Sequence, residues 1–150
     1  MVIKQLSVFI ENTKGRLERV TETLRESDIN IVSFGLADTS EYGLLRMIVS
    51  HPEEGRRVLK EEGFSAMLTD VLAVKIAQKP GTLHEILKCL SDADISVEYM
   101  YTLVTAGENT SIIMKVSDLD EGIKLLISSG YGLCTDSEAY EQRIWSTNNI

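Results

Sequence analysis

The sequence predicts an α+β fold built from two ferredoxin-like βαββαβ units packed side by side, and three observations carry that prediction. The chain matches itself at a shift of 66, with Leu6/Leu72, Val8/Val74, Ile10/Ile76, Gly15/Gly81, Leu17/Leu83, Leu24/Leu90, Asp28/Asp94 and Ile29/Ile95 identical. Beyond Glu41 the shift becomes 67, pairing Val49-Ser50 with Val116-Ser117, Gly63 with Gly130 and Phe64 with Tyr131. Within each copy the apolar spacing changes from strand to helix and back in the same order. A repeat of this length turns 150 residues into two units and a tail: 1–70, 71–135 and 136–150. Each unit alone would bury only about 60% of its unfolded surface, so the copies are expected to support each other.

The elements follow in chain order. Leu6, Val8 and Ile10 alternate at period two, as do Leu72, Val74 and Ile76, so each copy opens with a half-buried strand. Leu17, Val20, Thr21 and Leu24, matched by Leu83, Ile86, Leu87 and Leu90, then recur at helical spacing. Ile29 and Ile31, with Ile95 and Val97, return to alternation. A turn within residues 40–43, or 106–109, leads back through Leu45 to Val49 or Ile112 to Val116, which makes a hairpin. Pro52 suits a first helical turn, with Ser50 or His51 as N-cap and Ser117 or Asp118 in copy two. Gly63 and Gly130 stand where a helix end wants positive φ. Residues 64–69 and 131–135 close each copy with a short strand. The tail carries Tyr140, Ile144 and Trp145 among polar residues and reads as a short helix docking on the sheet or on a second chain, with a frayed end.

Composition narrows the function. Apolar residues make up 43% and charged residues 25%, an ordinary globular balance. The longest uninterrupted apolar run is four residues, Val71 to Val74, far short of a membrane span. The amino-terminal residues begin directly with alternation and lack a charged leader followed by an apolar stretch, so a cytoplasmic location is expected. The formal charge is −8, with nine basic against twelve acidic residues before Val71 and six against eleven after it, so neither half offers a basic face to nucleic acid or anionic lipid. Cys89 and Cys134 do not form a CxxC pair, and with His51 and His84 they are too few for a metal set. No cofactor is expected. An enzyme would need a nucleophile with its base, paired carboxylates or a metal, and no such constellation clusters or repeats.

The motif-like segment is the first strand-to-helix connection, Glu11-Asn12-Thr13-Lys14-Gly15-Arg16-Leu17 and its copy Ala77-Gln78-Lys79-Pro80-Gly81-Thr82-Leu83. A helix start offers amide hydrogens without intrahelical partners, and a glycine lets another group approach the backbone, so a carboxylate suits the place. The side-chain amides of Asn12 and Gln78 add donors and acceptors for an ammonium group. The plainer reading is that Gly15 and Gly81 only permit a tight turn. Tyr99 and Tyr101 fit stacking on an aromatic ligand, but alternation with Ile95 and Val97 favours the core for them. Arg16 lacks the glycine-rich loop of an acylphosphatase and reads as a solvated helix-start arginine.

These residues resemble the ACT domain family. The Gly-x-Leu turn after an alternating strand, Asp28-Ile29-Asn30-Ile31 with Asp94-Ile95-Ser96-Val97, and the element order carry the resemblance over about residues 3 to 135, as two consecutive copies. Pro80-Gly81-Thr82-Leu83 matches the family's Pro-Gly-x-Leu turn; Lys14 stands where copy one should have proline, and Gln78 where copy two should have Asn or Asp. The resemblance implies a non-catalytic regulator that binds an amino acid where two units meet, acting on a metabolic enzyme or regulator, and possible as a homodimer. It implies a ligand site of Asn12, Thr13, Lys14, Gly15, Arg16 and Leu17 facing the strand of Val97 and Tyr99, and a second of Gln78, Lys79, Pro80, Gly81, Thr82 and Leu83 facing that of Ile31. The alternative is a structural dimerisation module whose ligand sites have degenerated, and Lys14 supports it.

Overall fold

A computed structural model describes residues 1–38, 41–104 and 110–140. Its elements are β1 (Ile3–Glu11), α1 (Arg16–Glu26), β2 (Ile31–Asp38), β3 (Tyr42–Val49), α2 (Pro52–Glu61), β4 (Ser65–Ile76), α3 (Thr82–Asp92), β5 (Val97–Val104), β6 (Thr110–Val116), α4 (Leu119–Ser128) and α5 (Asp136–Tyr140). The six strands form one antiparallel sheet in the order β2-β3-β1-β4-β6-β5. The predicted βαββαβ order is complete in copy one and is repeated in copy two up to its closing strand. The expected turns between the hairpin strands fall partly on residues 39–40 and 105–109, outside the described residues, as do Ile144 and Trp145 of the tail.

The closing strand of copy one and the opening strand of copy two are a single element. No glycine or proline interrupts residues 65 to 76, so β4 runs through the expected boundary at Asp70, pairing with β1 over its first half and with β6 over its second. The closing strand of copy two is much shorter than expected. It is reduced to a bridge between Val74 and Leu133, held by Lys75 N–H donating to Gly132 O and Cys134 N–H donating to Ala73 O, each at 2.8 Å.

Each copy buries its own helices on one face of the sheet. Leu6, Val8, Ile10, Leu45 and Met47 pack with Val20, Leu24, Val58 and Leu59 of α1 and α2. Leu72, Val74, Ile112 and Met114 pack with Ile86, Leu90 and Leu126 of α3 and α4. Helix ends follow the sequence. Gly63 and Gly130 adopt φ 87° and 89° just past α2 and α4, and Asp28 and Asp94 take the same left-handed conformation after α1 and α3. Strand two therefore starts at Ile31 and Val97, two residues later than the alternation implies. Asp118 caps α4 by accepting from the Glu121 amide at 3.1 Å, while His51 at the start of α2 makes no side-chain cap bond.

The helix-free face is the larger surprise. Four residues at odd positions of β1 and β4, on the face opposite the helix-side core, are buried: Ile3, Gln5, Val71 and Ala73 are inaccessible. The sheet curls about β4 so that the helix-free faces of the two copies meet. Ile3, Ile48, Val71 and Ala73 join Leu103, Ile113, Cys134 and Ala139 in a third apolar cluster, a seam between the copies. Burying each of the isoleucine, valine and leucine side chains among them contributes about 1.5–3 kcal/mol, the support a small unit lacks alone.

Candidate functional site

The two strand-to-helix turns are superimposable in their bonding. In copy one Thr13 N–H donates to Glu11 O and Arg19 N–H to Gly15 O; in copy two Lys79 N–H donates to Ala77 O and Glu85 N–H to Gly81 O. Gly15 and Gly81 occupy the N-cap position with φ 87° and 90°, a conformation that costs an L side chain about 1–2 kcal/mol. A Cβ at either would meet nothing within 4 Å, so the backbone there is open to an approaching group. No side chain caps either helix, and among the described residues the amides of Leu17, Glu18, Leu83 and His84 have no acceptor. These are the orphan donors of a helix start.

The side chains around the turns differ between copies. Asn12, Thr13 and Lys14 are exposed, as are Gln78, Lys79 and Pro80. Asn12 N–H donates to Glu41 O at 3.1 Å, and Gln78 Nε2 donates to Thr110 Oγ1. Arg16 lies back over its own unit, its guanidinium 4.2 Å from the Phe64 ring centroid, with Nε buried and unbonded. Thr82 is buried and its hydroxyl donates to Lys79 O at 3.1 Å. Leu17 is 42% exposed, whereas Leu83 packs against the copy-two core.

The strand-two residues do not share one surface. Ile31 and Val97 face the helix-side cores of their own copies. A β-bulge between Val97 and Tyr99 then moves Tyr99 and Tyr101 to the opposite face, so the alternation that placed them with Val97 is broken by one extra residue. Both enter the seam. Gln5, fully buried, donates through Nε2 to Tyr99 Oη at 2.8 Å and to Ser7 Oγ at 3.0 Å, and accepts from Tyr101 Oη at 2.7 Å. Arg46 stacks on the Tyr99 ring at 3.6 Å, Ser33 Oγ donates to Thr102 O, and Gly35 lies against Tyr101. Burial holds the Tyr101 hydroxyl well above the usual tyrosine range.

Sequence reasoning missed Gln5, Arg46 and Ser33 as seam residues. The available signal was that Ile3 and Phe9, on the face assigned to water, are apolar too. The seam contacts have a direction: Ile3 lies with Leu103, Gln5 with Tyr101 and Tyr99, and Arg46, opposite Ser7, with Tyr99. Advancing along β1 therefore retreats along β5, which carries the Asn12 turn and the start of β5 toward one end of the molecule. An open cleft of about 360 Å³ lies against the start of β5, lined by Leu87, Ser91, Asp94, Ile95, Ser96 and Val97. Among the described residues no helix is long and apolar enough to cross a membrane, and no three His, Cys, Asp or Glu side chains gather as a metal site.

This architecture is that of the ACT domain, and the chain belongs to that family: the model of the ACT domain pair matches residues 1–139. Protein BT0572 of Bacteroides thetaiotaomicron is similar in structure, with 34% identity, a TM-score of 0.89 and coverage of 95% of this chain and 98% of that one. The regulatory subunit of aspartate kinase from Thermus thermophilus, in its ligand-free form, shares the fold at 16% identity and TM-score 0.61, covering 85% and 92% of the two chains. Its counterpart from Thermus flavus does so at 16% and 0.58, covering 84% and 91%. No curated protein matches the chain.

Proposed function

We propose that this protein is a non-catalytic, cytoplasmic regulatory module that binds an amino acid where its two ACT units meet. The observation that carries the reading is the pair of uncapped helix starts, each opened by a left-handed glycine with free first-turn amides. A carboxylate accepts from such amides with help from the helix dipole. Asn12 and Gln78 lie beside them for the ammonium group. The direction of the seam supports the copy-one turn as a partner of the β5 start. A regulatory role is also the one that the Thermus thermophilus protein of the same fold is described as having. Output passes to a separate metabolic enzyme or regulator, or through self-association as a homodimer. Either requires that the ligand prefer one arrangement of the seam, since equal affinity shifts nothing.

A thermal-shift screen of the twenty amino acids tests the reading. At 100 times its dissociation constant a native-state ligand adds about 2.7 kcal/mol, which moves the midpoint of a chain this size by roughly 5–10 °C. Gly15→Val or Gly81→Val should remove the response at its own turn and leave the far-UV spectrum unchanged. A flat response to all twenty would leave a structural dimerisation module in its place.

A further inference from the structure

The seam has two ends built from duplicated positions, and they are finished differently. Lys75, Ser111, Ile113 and Cys134 stand in copy two where Phe9, Leu44, Arg46 and Met67 stand in copy one. In copy two the chain itself covers them. Ser111, Ile113 and Cys134 are fully buried, Ala139 of α5 joins Ile113 and Cys134 in the seam cluster, and the Glu138 carboxylate meets Lys75 Nζ at 2.8 Å. In effect α5 delivers a carboxylate to a cation and an apolar body to the sheet beside it.

At the copy-one end nothing among the described residues plays that part. Phe9 and Met67 are 53% and 56% exposed. Ser7 pairs with Arg46 on one side and Met67 on the other, and Phe9 pairs with Leu44, so all four side chains share the helix-free face in two adjacent rows. Arg46 turns this apolar face into a site. Its guanidinium is fixed over the Tyr99 ring of copy two and, among the described residues, no carboxylate pairs with it. A stacked guanidinium keeps its N–H fork available to a carboxylate in one orientation.

We propose that this open end of the seam binds a small monocarboxylate with an apolar body, its carboxylate on Arg46 and its body over Phe9, Leu44 and Met67. The contact made by α5 at the opposite end is the precedent inside the same chain. Glu11, two residues beyond Phe9 on the same face, disfavours a second carboxylate on the ligand. The inference stands apart from the amino-acid reading, whose glycine turns it does not use. Binding here bridges the copies through Arg46 and Tyr99, so an occupant would tighten the seam.

The full chain is titrated with 3-phenylpropanoate, and separately with 3-phenylpropylamine, by calorimetry, with sedimentation velocity alongside. Saturable binding of the carboxylate and none of the amine is expected. Arg46→Gln should weaken it about tenfold, the equivalent of one charge-assisted hydrogen bond. Phe9→Thr and Met67→Thr, both at exposed positions that leave the core intact, should weaken it several-fold; Gly15→Val and Gly81→Val should not. Absence of saturation at the solubility limit, or undiminished binding by Arg46→Gln, overturns the proposal. So does a dimer that Phe9→Thr with Met67→Thr dissociates, because the face would then belong to a second copy of the chain.

Discussion

Gln5 is the residue on which the seam turns. Both of its amide groups are used, and the two tyrosine hydroxyls it serves come from the other copy. Gln5→Leu keeps the volume and strands both hydroxyls in a half-buried site. The expected cost is about 1–3 kcal/mol, because an unmet buried donor loses its solvation without return, and a urea titration monitored by circular dichroism measures it. Tyr101 adds a pH dependence. Burial raises its pKa above the unfolded value, so the folded chain holds the phenolic proton more tightly. The associated stability is complete below about pH 10 and is lost as pH rises through the folded value. Tyr131 and Tyr140 are raised for the same reason. Tyr101→Phe should flatten the alkaline decline in melting temperature only in part, and an unchanged slope would refute this account of Tyr101.

Among the elements, the shortest helix has the longest reach. α5 spans five residues, too few to persist alone, and is held from both sides. Glu138 pairs with Lys75 of copy two, while Tyr140 accepts from the Lys4 amide of copy one at 2.6 Å. Between them Ala139 is fully buried over Cys134. The Lys75–Glu138 pair is substantially exposed and contributes little by itself, so the apolar contact does most of the holding. Ala139→Asp places a carboxylate in that contact and should release the helix. Cys134 is buried in the native protein and Cys89 half-buried, so a thiol reagent is expected to spare Cys134 until the helix is released and then to label it. Continued protection of Cys134 would mean that α5 is not its cover. The bulges after Ile31 and Val97 matter at the same scale, since each lets one strand supply its helix-side core first and the seam next.

As a whole the molecule is two repeats that cannot be separated cleanly. β4 belongs to both, and the seam cluster draws residues from β1, β3, β4, β5 and β6. Unfolding one copy would expose the seam face of the other, so we expect one cooperative transition. Far-UV and near-UV circular dichroism should give coincident urea curves, and separated midpoints would show that the copies melt independently. A ligand at either turn or on the Arg46 face then acts on a single body, which is what a regulator needs in order to convert binding into a change of arrangement.

The order of elements, the duplication, the helix ends at Gly63 and Gly130 and the paired glycine turns were all legible in the residues, because local spacing and backbone conformation determine them. Copy-one and copy-two cores were equally legible, since their apolar residues repeat in register. What spacing cannot express is which second surface a strand meets. Whether Gln5, Ser7 and Phe9 face water or another sheet depends on how β4 curls, and the flip of Tyr99 depends on one extra residue in a strand. Only the three-dimensional arrangement, set by burying both faces of a small sheet at once, decided that Gln5 is inside, that α5 closes one end of the seam, and that Arg46 stands at the other.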